Sequence, residues 1–153
     1  MKYYMRVLQP DEKIKYVAKL HWILYVHSIL TGILALALAA FASSLSEDRK
    51  YLGFAGAAIL LVLAFLSFVG SWFKRWTTEI VATDKRVIVK HGFIARRTQE
   101  MNIGKVETVD VSQGIWGRIL GYGNVAIVGT GASLEPLRRV ASPLQLRNAI
   151  IVG

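Results

Sequence analysis

The chain of 153 residues contains no cysteine, which excludes disulfide bonds and thiolate chemistry. Acidic residues are also scarce, since ten aspartates and glutamates stand against nineteen lysines and arginines and leave a formal net charge of +9. Charged side chains are missing altogether from residues 22–42 and 51–73. Each stretch is long enough to cross the ~30 Å hydrocarbon core of a bilayer as a helix, which takes about 20 apolar residues. The sequence therefore predicts two membrane spans joined by a short loop.

Lysine and arginine are distributed unevenly around these spans, and their distribution predicts an orientation. Residues 1–21 carry a net charge of +3, the loop 43–50 is neutral, and residues 74–153 carry +6. Because basic segments stay in the cytoplasm, both termini are expected there and the loop is expected outside. The first span is longer than the apolar region of a secretory signal peptide, about 7–15 residues, so we expect it to be a retained anchor.

The chain divides by this pattern into three segments. Residues 1–21 are expected to be a cytoplasmic amphipathic segment. A short interfacial helix is expected to begin near Pro10 and to run into the first span, with helical spacing of Ile14, Val17, Ala18 and His21. Residues 22–73 are the hairpin, and residues 74–153 are a cytoplasmic domain. Small residues recur every three to four positions in both spans. This spacing predicts close helix packing, or it merely reflects how common Ala and Gly are in membrane helices.

Beyond residue 76 the apolar pattern changes to a period of two, which is typical of half-buried strands. Glycines interrupt the pattern at residues 114–123, where a turn or a helical turn is expected. The predicted strands are 76–83, 86–91, 93–101, 105–112, 124–130 and 134–141.

A short helix is expected to close the domain. Ser142 and Pro143 suit its cap and its first position. The side chains expected against the sheet are those of Leu144, Leu146 or Arg147, Ile150 and Ile151.

Several short motifs follow one another in a specific order along the chain. They are Glu12, His21-Trp22, residues 76–79, 83–88, 90–92, 103–107, 111–113, 117–123 and 129–131. In these motifs the chain resembles the bacterial membrane-anchored pleckstrin-homology (PH)-like family over essentially its whole length. The resemblance implies a two-helix transmembrane hairpin followed by a mainly antiparallel β PH-like barrel or sandwich with one C-terminal helix. It also implies the inner (cytoplasmic) membrane of a bacterium. Since a fold does not determine an activity, function has to be argued from the residues.

The sequence shows no pattern typical of an enzyme active site. Its three histidines lack the spacing of metal ligands, no Gly-x-Ser-x-Gly elbow occurs, and the glycine-rich segment 117–131 lacks the Gly-Lys-Ser/Thr end of a phosphate loop. Cross-strand ion pairs explain the scattered carboxylates. We therefore expect a non-enzymatic protein with no metal, nucleotide or other cofactor. A nucleic-acid partner is not expected, because no base-stacking platform is visible.

One candidate binding surface is the segment 113–122. It places Trp116 on an expected loop, beside Gln113 and Tyr122, and an exposed tryptophan is a typical anchor for a protein partner. Burial of Trp116 in the core is the alternative.

A second candidate surface is basic and follows the membrane segment. Its residues are expected to contact anionic lipid headgroups, or else to be a solvated face with positive-inside charge. The turn 83–85 is interpreted as the connection between the first two strands, which is too short for the phosphoinositide pocket of eukaryotic PH domains. The basic candidates are Lys85, Arg86, Lys90, Arg96 and Arg97.

The sequence favours a binding or scaffold module, embedded in the lipid bilayer, that assembles with copies of itself or with another membrane protein. The expected contact surfaces are an open sheet edge, segment 113–122 and the small-residue faces of the hairpin. The alternative is binding of anionic lipid headgroups or of a small ligand by the basic residues.

Overall fold

The computed structural model describes residues 4–92 and 97–152, and the chain divides into two compact units. Met1–His21 and Lys74–Gly153 together form one unit, which we call the sheet unit. Trp22–Phe73 form the other unit, the helical hairpin. The helical hairpin is therefore an insertion within the sheet unit, and residues 1–21 belong to the folded domain instead of forming a segment of their own.

The apolar stretches form two long helices in the helical hairpin. A 3-10 turn, Trp22–Tyr25, leads into α2, Val26–Ser43, and α3 comprises Glu47–Thr77. Acidic residues lie in the first turn of α3 and basic residues in its last turn, which suits the helix dipole. Both helices are long and apolar enough to cross a membrane. The helices are confirmed, and their passage through a membrane stays a prediction.

The two helices of the hairpin pack through small residues. Ala35 and Ala42 of α2 are buried, as are Ala57 and Ala64 of α3, whereas most large apolar side chains of both helices are exposed. Gly53 lies so close to Ala42 that a Cβ atom at position 53 would collide with the Ala42 side chain. Close helix packing is thus confirmed. The small residues contact each other inside the hairpin, and a role for them in assembly with a partner stays a prediction.

The first sheet of the sheet unit contains strands from both sides of the insertion. They pair antiparallel in chain order: β1, Ile14–Ala18; β2, Glu79–Thr83; β3, Arg86–His91; and β4, Arg97–Asn102. The predicted helix through Ile14 is therefore wrong. This segment pairs with β2, with Ala18 opposite Ile80, and the pairing satisfies its backbone groups and buries Ala18. The Ile, Tyr and Val residues of β1 are good strand formers. The apolar pattern of this segment fits both a helix and a strand, and its pairing with β2 makes it a strand.

The second sheet is also antiparallel. Its strands are β5, Val106–Ser112; β6, Tyr122–Gly129; β7, Ala132–Ser133; and β8, Leu137–Ala141. Strand β6 lies between β5 on one side and β7 and β8 on the other. The residues that follow β1 join the two sheets, since Leu20 pairs with Val140 and the Lys19 carbonyl accepts a hydrogen bond of 2.9 Å from the Ala141 amide.

Short helices complete the sheet unit: α1, Tyr4–Val7; the 3-10 turn Ile103–Lys105; α4, Ile115–Leu120; and α5, Pro143–Ile151. On α5, Pro143, Leu146 and Ile150 share one face and are buried. Leu144 and Ile151 are one position further around the helix and are exposed, so their predicted contact with the sheet is wrong. Ser142 is the cap residue of α5 but makes no capping hydrogen bond with its side chain.

The boundaries of several strands differ from the prediction for identifiable reasons. Strand β3 is confirmed over its whole length. Strand β2 begins at Glu79 because α3 continues through Thr77. The last predicted strand, 134–141, is reduced to β8, and β7 precedes it. Residues 93–96, the predicted start of the third strand, lie outside the described residues.

Candidate binding surfaces of the sheet unit

A network of charged side chains connects residues 4–12, which we call the N-terminal segment, to the first sheet. The buried carboxylate of Glu12 accepts hydrogen bonds from Nε and Nη2 of Arg86, each at 2.9 Å. The Thr83 hydroxyl donates to the same carboxylate at 2.7 Å. Arg86 also donates to a Glu100 oxygen and to the Val7 carbonyl, both at 2.8 Å. The guanidinium is therefore held between the N-terminal segment and β4.

This network keeps Glu12 ionised at neutral pH. Burial raises the pKa of its carboxyl, but hydrogen bonds from Arg86, the Gln9 amide and Thr83, together with the Arg86 charge, lower that pKa from 4.5 to about 2. The hydrogen bonds with Glu12 raise the pKa of Arg86 against the opposing effect of burial. Removing one partner of such a pair leaves an uncompensated buried charge, which is strongly destabilising.

The N-terminal segment covers the outer face of β2 and β3. Tyr4 is buried, and its amide donates a hydrogen bond of 3.4 Å to the Glu79 carboxylate. Val81 and Ile88 lie opposite each other on the same outer face as Arg86, and both are buried. The face that the sequence suggests is basic and solvated is thus occupied by the chain itself.

Two of the five basic candidates for lipid contact are engaged on this covered face. Arg86 directs its guanidinium to Glu12, Glu100 and a backbone carbonyl, and its side chain is 15% exposed. Lys90 has a side chain that is 13% exposed, and its ammonium lies 3.8 Å from Glu79. This geometry weighs against a role for either residue at a membrane surface.

The other basic candidates do not form a compact site with them. Lys85 is exposed at the turn after β2. Arg97 is 74% exposed and lies 3.7 Å from Glu135. Arg96 lies outside the described residues. Lipid contact by these residues stays a prediction.

Helix α4 presents apolar side chains at the surface. Ile115, Trp116 and Ile119 are 78%, 69% and 68% exposed. The segment predicted as a turn or helical turn is therefore a short helix, and Trp116 lies on this helix instead of on a loop. Gly121 ends the helix with a φ of 75° and donates its amide to the Gly117 carbonyl, a backbone conformation that glycine adopts without strain. The alternative in which Trp116 is a core residue is wrong.

Gln113 and Tyr122 contact the buried side of α4. Nε2 of Gln113 donates hydrogen bonds to the carbonyls of Gly117, at 3.2 Å, and Tyr122, at 2.9 Å. Position 117 has no room for a side chain, because a Cβ atom there would lie 2.6 Å from the Tyr122 carbonyl oxygen. Both Gln113 and Tyr122 are half-buried. Of the three residues predicted to contact a partner, Trp116 alone presents its side chain to the outside.

His21, the last residue before the helical hairpin, packs beside the end of α4. Its ring stacks on the Tyr122 ring with centroids 5.2 Å apart, and its amide donates to the Arg139 carbonyl at 2.7 Å. Burial lowers the pKa of His21, a hydrogen bond with the Leu120 backbone raises it, and the charge of Arg75 lowers it, with a net decrease. Both contacts lie within the sheet unit, where the His21 ring packs against the residues that end α4.

The connection between the first two strands is the insertion itself. Because β1 precedes the helical hairpin and β2 follows it, residues 19–78 join these strands. The turn 83–85 connects β2 to β3. Its interpretation as the connection between the first two strands is therefore wrong, because β1 was not recognised as a strand from the sequence.

Strand β5 is an edge strand. It pairs with β6 on one side, and no strand among residues 4–92 and 97–152 pairs with its other side. The Ile127 carbonyl of β6 accepts a hydrogen bond of 3.0 Å from the Leu134 amide, away from β5. Val109, opposite Ile127, and by alternation Val111 therefore direct their N–H and C=O groups to the open side of β5.

Antiparallel sheets followed by a C-terminal helix are consistent with a PH-like domain, a class whose members are generally binding modules. Residues 25–151 match the family model described as bacterial PH domain. This match covers well over half of the chain, and the chain belongs to that family, as the resemblance implied. It begins inside the helical hairpin, so β1 lies before the matched residues. The comparison with curated proteins finds no match, and neither does the comparison with solved structures.

Sequence reasoning missed two residues of the α4 surface and the partners of Arg86. Ile115 and Ile119 are four residues apart, and Ile119 follows Trp116 by three residues, which are the spacings of side chains on one helix face. That pattern was detectable in the sequence. The pairing of Arg86 with Glu12 was not, because it depends on a strand from the far side of the insertion.

Proposed function

We propose that this chain is a non-enzymatic binding module that is held at the inner membrane of a bacterium by its helical hairpin. Two helices of sufficient length and apolarity, and basic segments on both sides of a neutral loop, support a multi-pass topology with both termini in the cytoplasm. The sheet unit then binds its partner at the cytoplasmic surface. The partner is a second copy of this chain or another membrane protein.

The observation that carries the assembly proposal is the open edge of β5. The strand runs over Val106–Ser112 without glycine or proline, and the backbone groups of Val109 and Val111 are directed away from β6. An extended segment of a partner adds to such an edge through main-chain hydrogen bonds. By contrast, the edges of β1 and β8 are joined to each other through Leu20 and Val140.

Binding of lipid headgroups by the basic face is less well supported. Arg86 and Lys90 would have to leave Glu12, Glu100 and Glu79 before they contacted a phosphate. Breaking the buried pair from one side is costly. Lys85 and Arg97 remain exposed, but their attraction to an anionic leaflet is about 1 kcal/mol each and falls with salt.

The edge of β5 is tested by removing one of its outward donors. In Val111→Pro the amide that faces the open side is lost while the amides of Thr108 and Asp110, which face β6, remain. Val111→Ala is the matched control, since it shortens the same side chain and keeps the amide. We expect Val111→Pro to lose partners that copurify from native membranes in mild detergent, and Val111→Ala to retain them.

Site-specific photo-crosslinking tests the same surface without weakening the strand. A photoreactive residue at the exposed position Asp110 of β5 is compared with one at Ser133, exposed on β7. The proposal predicts cross-links to a protein from position 110. Cross-links confined to position 133, or normal copurification with a correctly folded Val111→Pro protein, would overturn it.

A further inference from the structure

The exposed apolar face of α4 lies at the end of the sheet unit where the chain enters and leaves the helical hairpin. His21, the last residue before the insertion, contacts the ring of Tyr122 and the backbone of Leu120, at the C-terminal end of α4. The charge of Arg75, where the chain returns from the insertion, acts on the same histidine. The ends of β1 and β2 that flank the insertion are also paired, with Ala18 opposite Ile80.

We propose that α4 docks on the lipid surface of the membrane that the helical hairpin crosses, with Ile115, Trp116 and Ile119 at the boundary between headgroups and acyl chains. The inference rests on the membrane location in the proposed function, and it concerns a different surface from the edge of β5. The sheet unit would then be attached to the bilayer twice, once through its covalent link to the helical hairpin and once through α4.

The chemistry of α4 fits a bilayer interface. Tryptophan is enriched at the level of the headgroups, and apolar residues of an interfacial helix lie about 5–10 Å into the headgroup and acyl boundary. Residues 113–122 include Arg118, which is exposed, and contain no acidic residue. A positive charge thus lies on the same short helix as the apolar side chains, and it suits the anionic cytoplasmic leaflet.

A groove beside α4 reaches the start of α5. This shallow groove is lined by residues of both elements, among them Arg118 and Leu144. Leu144 is 52% exposed, so an apolar side chain of α5 borders the same groove. Exposed apolar side chains that cluster, as Ile115, Trp116 and Ile119 do on α4, mark an interaction surface more strongly than isolated ones do.

Fluorescence quenching in vesicles tests the inference on the full-length chain. The protein is reconstituted into vesicles of phosphatidylcholine and phosphatidylglycerol, with and without brominated acyl chains. The contribution of Trp116 is the difference between the wild type and Trp116→Phe, and that of Trp72 in α3 is obtained from Trp72→Phe. We expect bromine to quench the Trp116 component to an extent comparable with the Trp72 component.

A substitution on α4 and a matched control on α5 test whether the apolar side chains of α4 cause the quenching. Ile119→Ser removes an exposed apolar side chain from α4, and Ile151→Ser removes one from the far end of α5, where the residue is 55% exposed. Ile119→Ser should reduce the quenching of Trp116, and Ile151→Ser should leave it unchanged.

The outcomes separate this inference from the membrane location on which it rests. If Trp72 is quenched and Trp116 is not, α4 does not contact lipid and the inference fails, while the helical hairpin still crosses the membrane. If neither is quenched, both ideas fail. A Trp116 component that is shielded from water, insensitive to bromine and dependent on protein concentration would assign α4 to a second copy of the chain and would also overturn the inference.

Discussion

Glu12 and Arg86 stand 74 positions apart, on opposite sides of the inserted hairpin, and meet through two hydrogen bonds of 2.9 Å. The contact makes the residues before the first apolar helix part of the domain that follows the second. The chain on both sides of the insertion is therefore fastened to one sheet, by β1 through its backbone and by Glu12 through its side chain.

Replacing Glu12 should destabilise the sheet unit strongly. In Glu12→Gln the Arg86 guanidinium remains 15% exposed and loses its ionised partner, and breaking a buried pair from one side costs about 3–5 kcal/mol. Glu135→Gln is the control, because its partner Arg97 is 74% exposed and such surface pairs contribute at most about 1 kcal/mol. The measurement is the free energy of unfolding of the detergent-solubilised chain. Equal effects of the two substitutions would contradict the network described above.

The contribution of Glu12 should depend on pH in a defined direction. Its pKa is about 2 in the folded chain against an ordinary value of 4.5, so the folded state favours the ionised form. The resulting stabilisation is complete above the ordinary pKa and is lost as the pH falls from about 5 toward 2. Between about pH 6 and pH 3 the stability difference between wild type and Glu12→Gln should shrink by roughly 2 kcal/mol. A constant difference over this range would show that Glu12 is not held ionised by Arg86.

Enlarging Gly53 should disturb the helical hairpin. A methyl group at this position collides with the Ala42 side chain, and overpacking of this kind costs about 1–3 kcal/mol. Gly70→Ala is the matched control, since a Cβ atom there has no neighbour within 4 Å and alanine is the better helix former by about 1 kcal/mol. We expect Gly53→Ala to lower, and Gly70→Ala to preserve or raise, the thermal midpoint in detergent. A neutral Gly53→Ala would mean that the helices are further apart than described.

Assembly should be insensitive to the α4 surface if the two proposals are both correct. Trp116→Ala removes an exposed side chain whose proposed contact is lipid, so the partners that copurify should be retained. Arg97→Ala should likewise have little effect, because the side chain is exposed and its interactions are screened by salt. Loss of partners in a folded Trp116→Ala protein would show that Trp116 contacts a protein, as the sequence suggests, and would contradict its proposed contact with lipid.

The period of the apolar pattern was sufficient to predict most elements of the domain, including β3 and the helix at residues 143–151. It failed at β1, where five residues fit both a helix face and a strand, and where pairing with β2 decides. The same failure concealed the place of the insertion, because the strand order could not be counted correctly without β1.

The candidate surfaces were predicted less completely than the fold. Trp116 was recognised from its residue type alone, whereas Ile115 and Ile119 required the helix that places all three side chains outside. The basic residues were recognised from charge, but whether a charge is solvated depends on contacts across the chain. The contacts of Arg86 with Val7 and Glu12, and that of Glu79 with Tyr4, are of this long-range kind.

Cysteine labelling in cells tests directly whether a membrane-crossing hairpin is inserted into a cytoplasmic PH-like domain. The chain has no cysteine of its own, so single substitutions report without background. Ser46→Cys lies between the two long helices and Ser133→Cys lies on β7, where the residue is exposed. With a membrane-impermeant maleimide, we expect labelling of position 46 in intact spheroplasts and of position 133 only after lysis. Labelling of position 133 from outside, or equal protection of both positions before lysis, would contradict this topology.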